Sequence, residues 1–296
     1  MLNLEYYSGK DLYSDGDIED ELLAVFKEGR DVNKVIACDN RWPVLYHLSP
    51  ERLNLLRWYP FRSDQSLLEI GAGCGALTGL FCRKLRSVTA VDLSKRRSEA
   101  NKERNKHHTN LEIIVGNFDD IVFNETFDYI TLIGVLEYTR SFSAAEDPYA
   151  LLFDKINSLL KPDGTVIIAI ENKFGLKYWA GAKDDHTSEL FDAMQGYRKN
   201  RNYKSIETFG LDELRNLLTR NKLKTITMYY PYPDYKMPEV IFSDDMLPNP
   251  YTYFPPSPHY DKKGYKLFNE SAVLHHIIKN GQFPFFANSF LCLARR

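Results

Sequence analysis

Leu67-Leu68-Glu69-Ile70-Gly71-Ala72-Gly73-Cys74-Gly75-Ala76-Leu77-Thr78 decides the reading of this chain, because an apolar run passes into a helix through three closely spaced glycines. The run ending at Ile70 reads as a short buried strand. Gly71 and Gly73 carry no Cβ and accept positive φ, so the backbone can turn sharply and let a ligand come close to the amides opening the next helix. Gly75 continues the alternation, and the acid Glu69 stands two residues before the first glycine. A second apolar strand, Ser87-Val88-Thr89-Ala90-Val91, ends on Asp92, where a carboxylate is placed to accept hydrogen bonds from ribose hydroxyls. A nicotinamide-type fingerprint needs its third glycine one residue later, where this chain has Ala76.

Beyond this stretch, apolar runs alternate with helical patterns, the signature of an α/β, doubly wound, mostly parallel sheet. Strands are expected near 66–70, 87–91, 111–115, 127–133, 164–170, 223–230 and 289–294, seven in all, the last pairing antiparallel at the sheet edge. Helix 148–160 should lead through the tight turn Lys161-Pro162-Asp163-Gly164 into the fifth strand. Ligands of such sheets sit beyond the carboxyl ends of the strands, so Gly134 to Tyr138 should face the reaction centre.

Residues 1–60 read as an N-terminal helical cap and 61–296 as the main domain. Ile18, Leu22, Val25 and Phe26 give a helix over 17–28 that stops at Gly29; Ser49 and Pro50 open a second that must end before Pro60. Two stretches, about 171–210 and 231–286, are too long for scaffold connections and rich in aromatic residues. The first follows a strand tip and should line an acceptor pocket, with Glu171, Asn172, Tyr178, Trp179, Arg198 and Arg201 as binding residues. Arg198, Lys199, Arg201 and Lys204 could form a basic rim or a solvated helix face. The second is rich in proline, yet Ile241, Phe242, Met246 and Leu247 argue against disorder.

The 296 residues carry 38 Lys plus Arg against 40 Asp plus Glu, so no global field draws the chain to nucleic acid or an anionic membrane. Cys38, Cys74, Cys82 and Cys292 lack metal-ligand spacing and read as reduced thiols of a cytoplasmic protein. Neither a signal peptide nor a membrane span is expected.

Glu69, the glycine triplet and Asp92, in this order, resemble the class I S-adenosylmethionine-dependent methyltransferases over about the middle half of the chain. The resemblance implies a Rossmann-like fold and S-adenosylmethionine as cofactor, held by Glu69, Gly71, Gly73, Gly75, Asp92 and Gly134. It also implies adenine contacts from Asn117 and Phe118 after the third strand, although family members more often have Asp at the first position. The segment before the first strand often covers the cofactor in this family, so Tyr46 would touch its carboxylate or only pack the cap. The fourth strand runs into Ile133-Gly134-Val135-Leu136-Glu137, not the acid or amide, two prolines and aromatic of enzymes acting on nucleic-acid bases. No metal is expected, because Glu137 alone does not make a magnesium site.

The strings IENKFGLKYWAGAKDDHT and YYPYPDYKMPEVIFSDDMLP look like a bacterial methyltransferase group that accompanies glycosyltransferases in surface-polysaccharide biosynthesis. That implies O-methylation of a carbohydrate or other small acceptor, and association with glycosyltransferases. Methylation of an amine on an amino sugar or protein, and a non-catalytic S-adenosylmethionine-binding regulatory subunit, are the alternatives. His186 is the expected general base, since imidazole titrates near neutral pH and Asp184, Asp185 or Glu171 could orient it, while packing of its loop is the competing role; His47 is the reserve.

Overall fold

A computed structural model describes residues 1–197, 206–258 and 263–296. The chain divides into two compact units: residues 1–132 with 154–166, and residues 133–153 with 167–296.

In the first unit the strands are β1 (Leu2–Asn3), β2 (Ser66–Ile70), β3 (Ser87–Asp92), β4 (Leu111–Val115) and β5 (Phe127–Ile133), in the order β1-β4-β3-β2-β5 and all parallel. Every residue of β2 is buried, as a central parallel strand requires, so its apolar run needs no alternation. The chain builds outward from β2 through β3 to β4, then returns to the other side of β2 with β5. β2 therefore stands at the switch point, where a crevice opens beyond the carboxyl ends.

Residues 1–60 form helices Ile18–Lys27, Val32–Cys38 and Trp42–Leu48 and the 3-10 helix Pro50–Leu55, which Ser49 caps by accepting from the Glu51 amide. The second expected helix is thus a tighter 3-10 turn. Ile18, Leu22, Val25, Val44 and Leu48 share one apolar cluster with Cys74 of the glycine loop and with Ala100. Charge completes this junction. Arg97 reaches Glu19 at 2.7 Å and Asp15 at 2.5 Å, and Arg96 reaches Asp20 at 2.5 Å.

β6 (Leu160–Glu171) begins where helix Pro148–Leu159 ends. The expected turn at 161–164 is absorbed into the strand, and the Lys161 ammonium lies 2.7 Å from Asp128 of β5. The second unit carries β7 (Lys224–Tyr232), β8 (Val240–Ser243) and β9 (Ser289–Arg295), in the order β6-β9-β7-β8. β9 pairs antiparallel with β7 as expected, but it lies between β6 and β7 and not at the edge; β8 takes the edge.

The described residues thus form nine strands, not seven. The additions, β1 and β8, are two and four residues long and lack the apolar alternation that marks a strand. Tyr232, Phe254, Phe242 and Phe283 meet ring to ring, so the proline-rich stretch builds a core of its own. Among the described residues no helix is long and apolar enough to cross a membrane.

Candidate functional site

In the first unit the loop after β2 takes the predicted form: Gly71, Gly73 and Gly75 all have positive φ, at 72°, 54° and 76°. The amides of Gly71 and Ala72 both bond the Val91 carbonyl, which ties the turn to β3. The glycines differ in what surrounds them. A Cβ on Gly73 would meet nothing within 4 Å, whereas one on Gly75 would lie 2.3 Å from Asn101 Oδ1. Gly73 therefore faces open space, and Gly75 admits the helix Lys95–Arg104.

Asp92 Oδ2 accepts the Gly73 amide at 2.7 Å and Oδ1 the Ser94 amide at 2.9 Å. Burial raises the Asp92 pKa, against the pull of Arg97. Glu69 is buried too, and Thr78 Oγ1 donates to it at 2.5 Å across the loop. Burial pushes its pKa up to about 8, so Glu69 is largely protonated at neutral pH. Its place is under the loop, where it holds the helix start.

After β4, the Gly116 amide bonds the Asp92 carbonyl, and Asn117 Oδ1 accepts the Asp119 amide at 3.2 Å. Lys155 fastens this segment, donating to the carbonyls of Phe118, Asp119 and Ile121 at 2.5, 3.0 and 2.7 Å with its ammonium over the Phe118 ring. Tyr46 stacks under the Arg52 guanidinium, 4.1 Å from the ring centre. His47 lies 2.9 Å from Asp15 and is buried, so it packs the cap.

The second unit gathers a buried polar cluster at the end of β6. Glu171 Oε1 accepts from Lys236 and, at 3.2 Å, from the Tyr235 hydroxyl. Lys177 lies 3.0 Å from Asp185 and 3.4 Å from Asp234, and Tyr178 donates to Asp185. Asp184 Oδ1 accepts the amides of His186 and Thr187, both at 2.9 Å, and so shapes the loop that presents His186. The Tyr138 hydroxyl meets His186 Nδ1 at 3.1 Å. Gly134 belongs to this unit: a Cβ there would lie 2.8 Å from the Tyr235 hydroxyl, so glycine makes room for the cluster.

Burial raises Glu137 well above the usual carboxylate range, and the neighbouring Glu171 adds to it. For Glu171 burial acts the same way, but the Lys236 ammonium outweighs it and holds the pKa low. Asp185 is likewise kept well below its ordinary value, against burial, by Lys177 and Lys236. Glu137 Oε2, Glu171 Oε2 and His186 Nε2 are buried with no hydrogen-bond partner among the described residues. One ligand atom from each of these three residues lies within 4.8 Å of the others.

The structure thus brings together His186, Glu171 and Tyr178 of the residues expected for the acceptor. Asn172 is fully buried and its side chain is spent on backbone: its nitrogen donates to Phe285 and Ala287 carbonyls, both at 2.7 Å, and its oxygen accepts from Phe174 at 3.0 Å. Trp179 is partly exposed and donates to the Phe174 carbonyl. Arg198, Lys199, Arg201 and Lys204 lie outside the described residues. Sequence reasoning had Glu137 only within the segment facing the reaction centre and Asp185 only as a possible orienter of His186, and did not assign Lys177, Asp234, Tyr235 or Lys236 to the site, although Asp234-Tyr235-Lys236 lies in the second resemblance-bearing string.

Residues 68–168 match the model of a methyltransferase domain. Among curated relatives, a malonyl-[acyl-carrier protein] O-methyltransferase of Priestia megaterium is 26% identical over 124 residues, 41% of this chain and 42% of that one. An uncharacterized methyltransferase of Staphylococcus carnosus is 45% identical over 69 residues, 23% of this chain and 31% of that one. The chain therefore spans less than half the length of either curated relative. Among solved structures, the N-methyltransferase NodS from Bradyrhizobium japonicum aligns with a TM-score of 0.47 at 13% identity, over 83% of this chain and 92% of that one.

Proposed function

We propose that the chain is an S-adenosylmethionine-dependent methyltransferase that methylates an oxygen of a carbohydrate or other small acceptor. The observation that carries the reading is the loop after β2, where positive-φ glycines stand at the switch point and Gly73 faces open space inside a matched methyltransferase domain. These residues fit the cofactor. Each Asp92 oxygen accepts one amide and keeps a lone pair for a ribose hydroxyl. Asn117 and Phe118 are assigned to adenine, and Glu69 acts through Thr78 to hold the helix start. The bound cofactor supplies an electrophilic methyl group.

The acceptor's proton is assigned to the cluster of Glu137, Glu171 and His186, where Nε2 of His186 has no hydrogen-bond partner among the described residues and Tyr138 orients the ring from Nδ1. The carbohydrate class, a cytoplasmic location and association with glycosyltransferases rest on the resemblance of the 171–210 and 231–286 stretches. The Priestia relative's name supports oxygen as the acceptor atom.

Calorimetry tests the cofactor: S-adenosylmethionine should bind the parent, and Asp92→Ala should weaken binding by about 1–3 kcal/mol. Methyl-labelled S-adenosylmethionine and fractionated bacterial extract test the acceptor. Label in nucleotide sugars or lipid-linked glycans supports the reading. Label only in amines or protein replaces the acceptor class, and label nowhere with binding intact points to a non-catalytic subunit.

A further inference from the structure

We propose that Glu137, Glu171 and His186 form a binding site for one divalent transition-metal cation, with Oε2 of each glutamate and Nε2 of the histidine as the protein ligands. The sequence offers a single carboxylate at the fourth-strand tip, and the fold brings the other two groups to it. Glu137 follows β5, Glu171 closes β6, and His186 comes from the loop shaped by Asp184.

Three observations converge on the site. First, the two glutamates are only 1% and 2% exposed, yet an oxygen of each lacks a partner among the described residues, as does the imidazole Nε2. A buried acceptor left without a partner is destabilising, so three together mark a place for a shared ligand. Second, one possible ligand atom from each of the three residues lies within 4.8 Å of the others. Three ligands about 2.0–2.2 Å from one ion sit about 3.4–3.8 Å apart, so side-chain shifts of about 1 Å close the site. Third, among the described residues the ammonium groups that meet Glu171, Asp185 and Asp234 are those of Lys177 and Lys236, while Glu137 stands beside the Glu171 carboxylate.

The remaining contacts look like support for ligands. Glu171 Oε1 is fixed by Lys236 and Tyr235, leaving Oε2 to the ion, and the Tyr138 hydroxyl at Nδ1 fixes the ring with Nε2 inward. Two carboxylate oxygens and an imidazole suit manganese, iron or zinc better than calcium, which takes oxygen alone. Only three protein ligands leave open positions for an acceptor oxygen. The use of the site rests on the methyl-transfer reading, in which His186 would then hold the ion and not take the proton itself; its existence does not.

The test titrates Mn2+, Zn2+, Mg2+ and Ca2+ into the full chain after chelator treatment, by calorimetry and, for Mn2+, by loss of the free-ion electron paramagnetic resonance signal. One Mn2+ or Zn2+ per chain should bind, with Mg2+ and Ca2+ weaker, and Glu137→Gln, Glu171→Gln and His186→Gln should each lose at least about 10-fold. Pulsed resonance on the Mn2+-loaded parent needs no variant and should show coupling to an imidazole nitrogen. No binding tighter than about 1 mM, or unchanged affinity in all three variants, or no nitrogen coupling, overturns the site. Cofactor binding to the metal-free parent separates the readings: intact S-adenosylmethionine affinity without metal binding removes the cation alone.

Discussion

Residues with one sequence signature divide here by what surrounds them. Gly73→Ala puts a methyl into open space at a left-handed φ, so it should cost the fold only about 1–2 kcal/mol yet weaken S-adenosylmethionine binding by at least about 10-fold. Gly75→Ala drives a methyl into Asn101, which Thr78 and Asn105 hold in place, and should destabilise by about 1–3 kcal/mol or more. Thermal melts and calorimetry on the pair check this; equal loss of stability in both would refute the distinction. The spacing of the triplet was legible because positive φ is a local backbone property. The separate duties of its members were not, since they depend on a helix more than twenty residues away. Glu69 gives a second prediction. Its folded pKa of about 8 lies above the ordinary 4.5, so the folded state holds a proton that the unfolded chain releases between these values. Stability from this group is full below the unfolded value and is lost as pH rises through about 8, at up to about 1.4 kcal/mol per pH unit. Glu69→Gln never ionises, so its melting temperature should gain on the parent's between about pH 5 and about pH 9. A constant gap would show that Glu69 is not buried as a neutral acid.

At the scale of elements, all seven strands expected from apolar runs are present, because a buried strand writes its burial into its own residues. β1 and β8 carry no such mark, because edge pairing is supplied by the neighbour. The position of β9 between β6 and β7 is a non-local choice that no local pattern encodes. The acceptor-side cluster was legible only in part for the same reason. Glu171 and His186 stand in the first aromatic stretch, while Asp234 and Lys236 arrive from sixty residues further on. Lys155 is an element-scale case within the first unit: helix Pro148–Leu159 uses it to pin three carbonyls of the segment after β4. Lys155→Met keeps the stem but frees that segment, so S-adenosylmethionine affinity should fall by about 1 kcal/mol or more if Asn117 and Phe118 bound adenine. Unchanged calorimetric affinity in a variant that still melts cooperatively would remove those two residues from the cofactor site.

At the scale of the whole chain, sequence reading separates a cap at residues 1–60, yet these residues share one core with Cys74 and Ala100 in the first unit. The ion pairs make the same junction. Arg97 is nearly buried and faces Asp15 and the fully buried Glu19, while Asp11 accepts the Lys95 amide at the start of the same helix. Removing residues 1–60 would strand Arg97 without either carboxylate and expose the apolar face that Leu22, Val25, Val44 and Leu48 cover. The prediction is that residues 61–296 alone do not melt cooperatively. Arg97→Met in the full chain should cost about 3 kcal/mol, because it removes the guanidinium that lies 2.7 Å from the buried Glu19 carboxylate. Acid should expose the same dependence. Burial alone would raise the Asp15 pKa, but the hydrogen bond from His47 and the Arg97 charge bring it below the ordinary 3.8. Its contribution is therefore present above the unfolded value and lost as pH falls through the folded one, and Arg97→Met should flatten that loss. Calorimetric melts of the parent, the shortened chain and Arg97→Met check all three statements. A cooperative transition of residues 61–296 within a few degrees of the parent would make the cap a separable domain, and would return the glycine loop's stability to the parallel sheet alone.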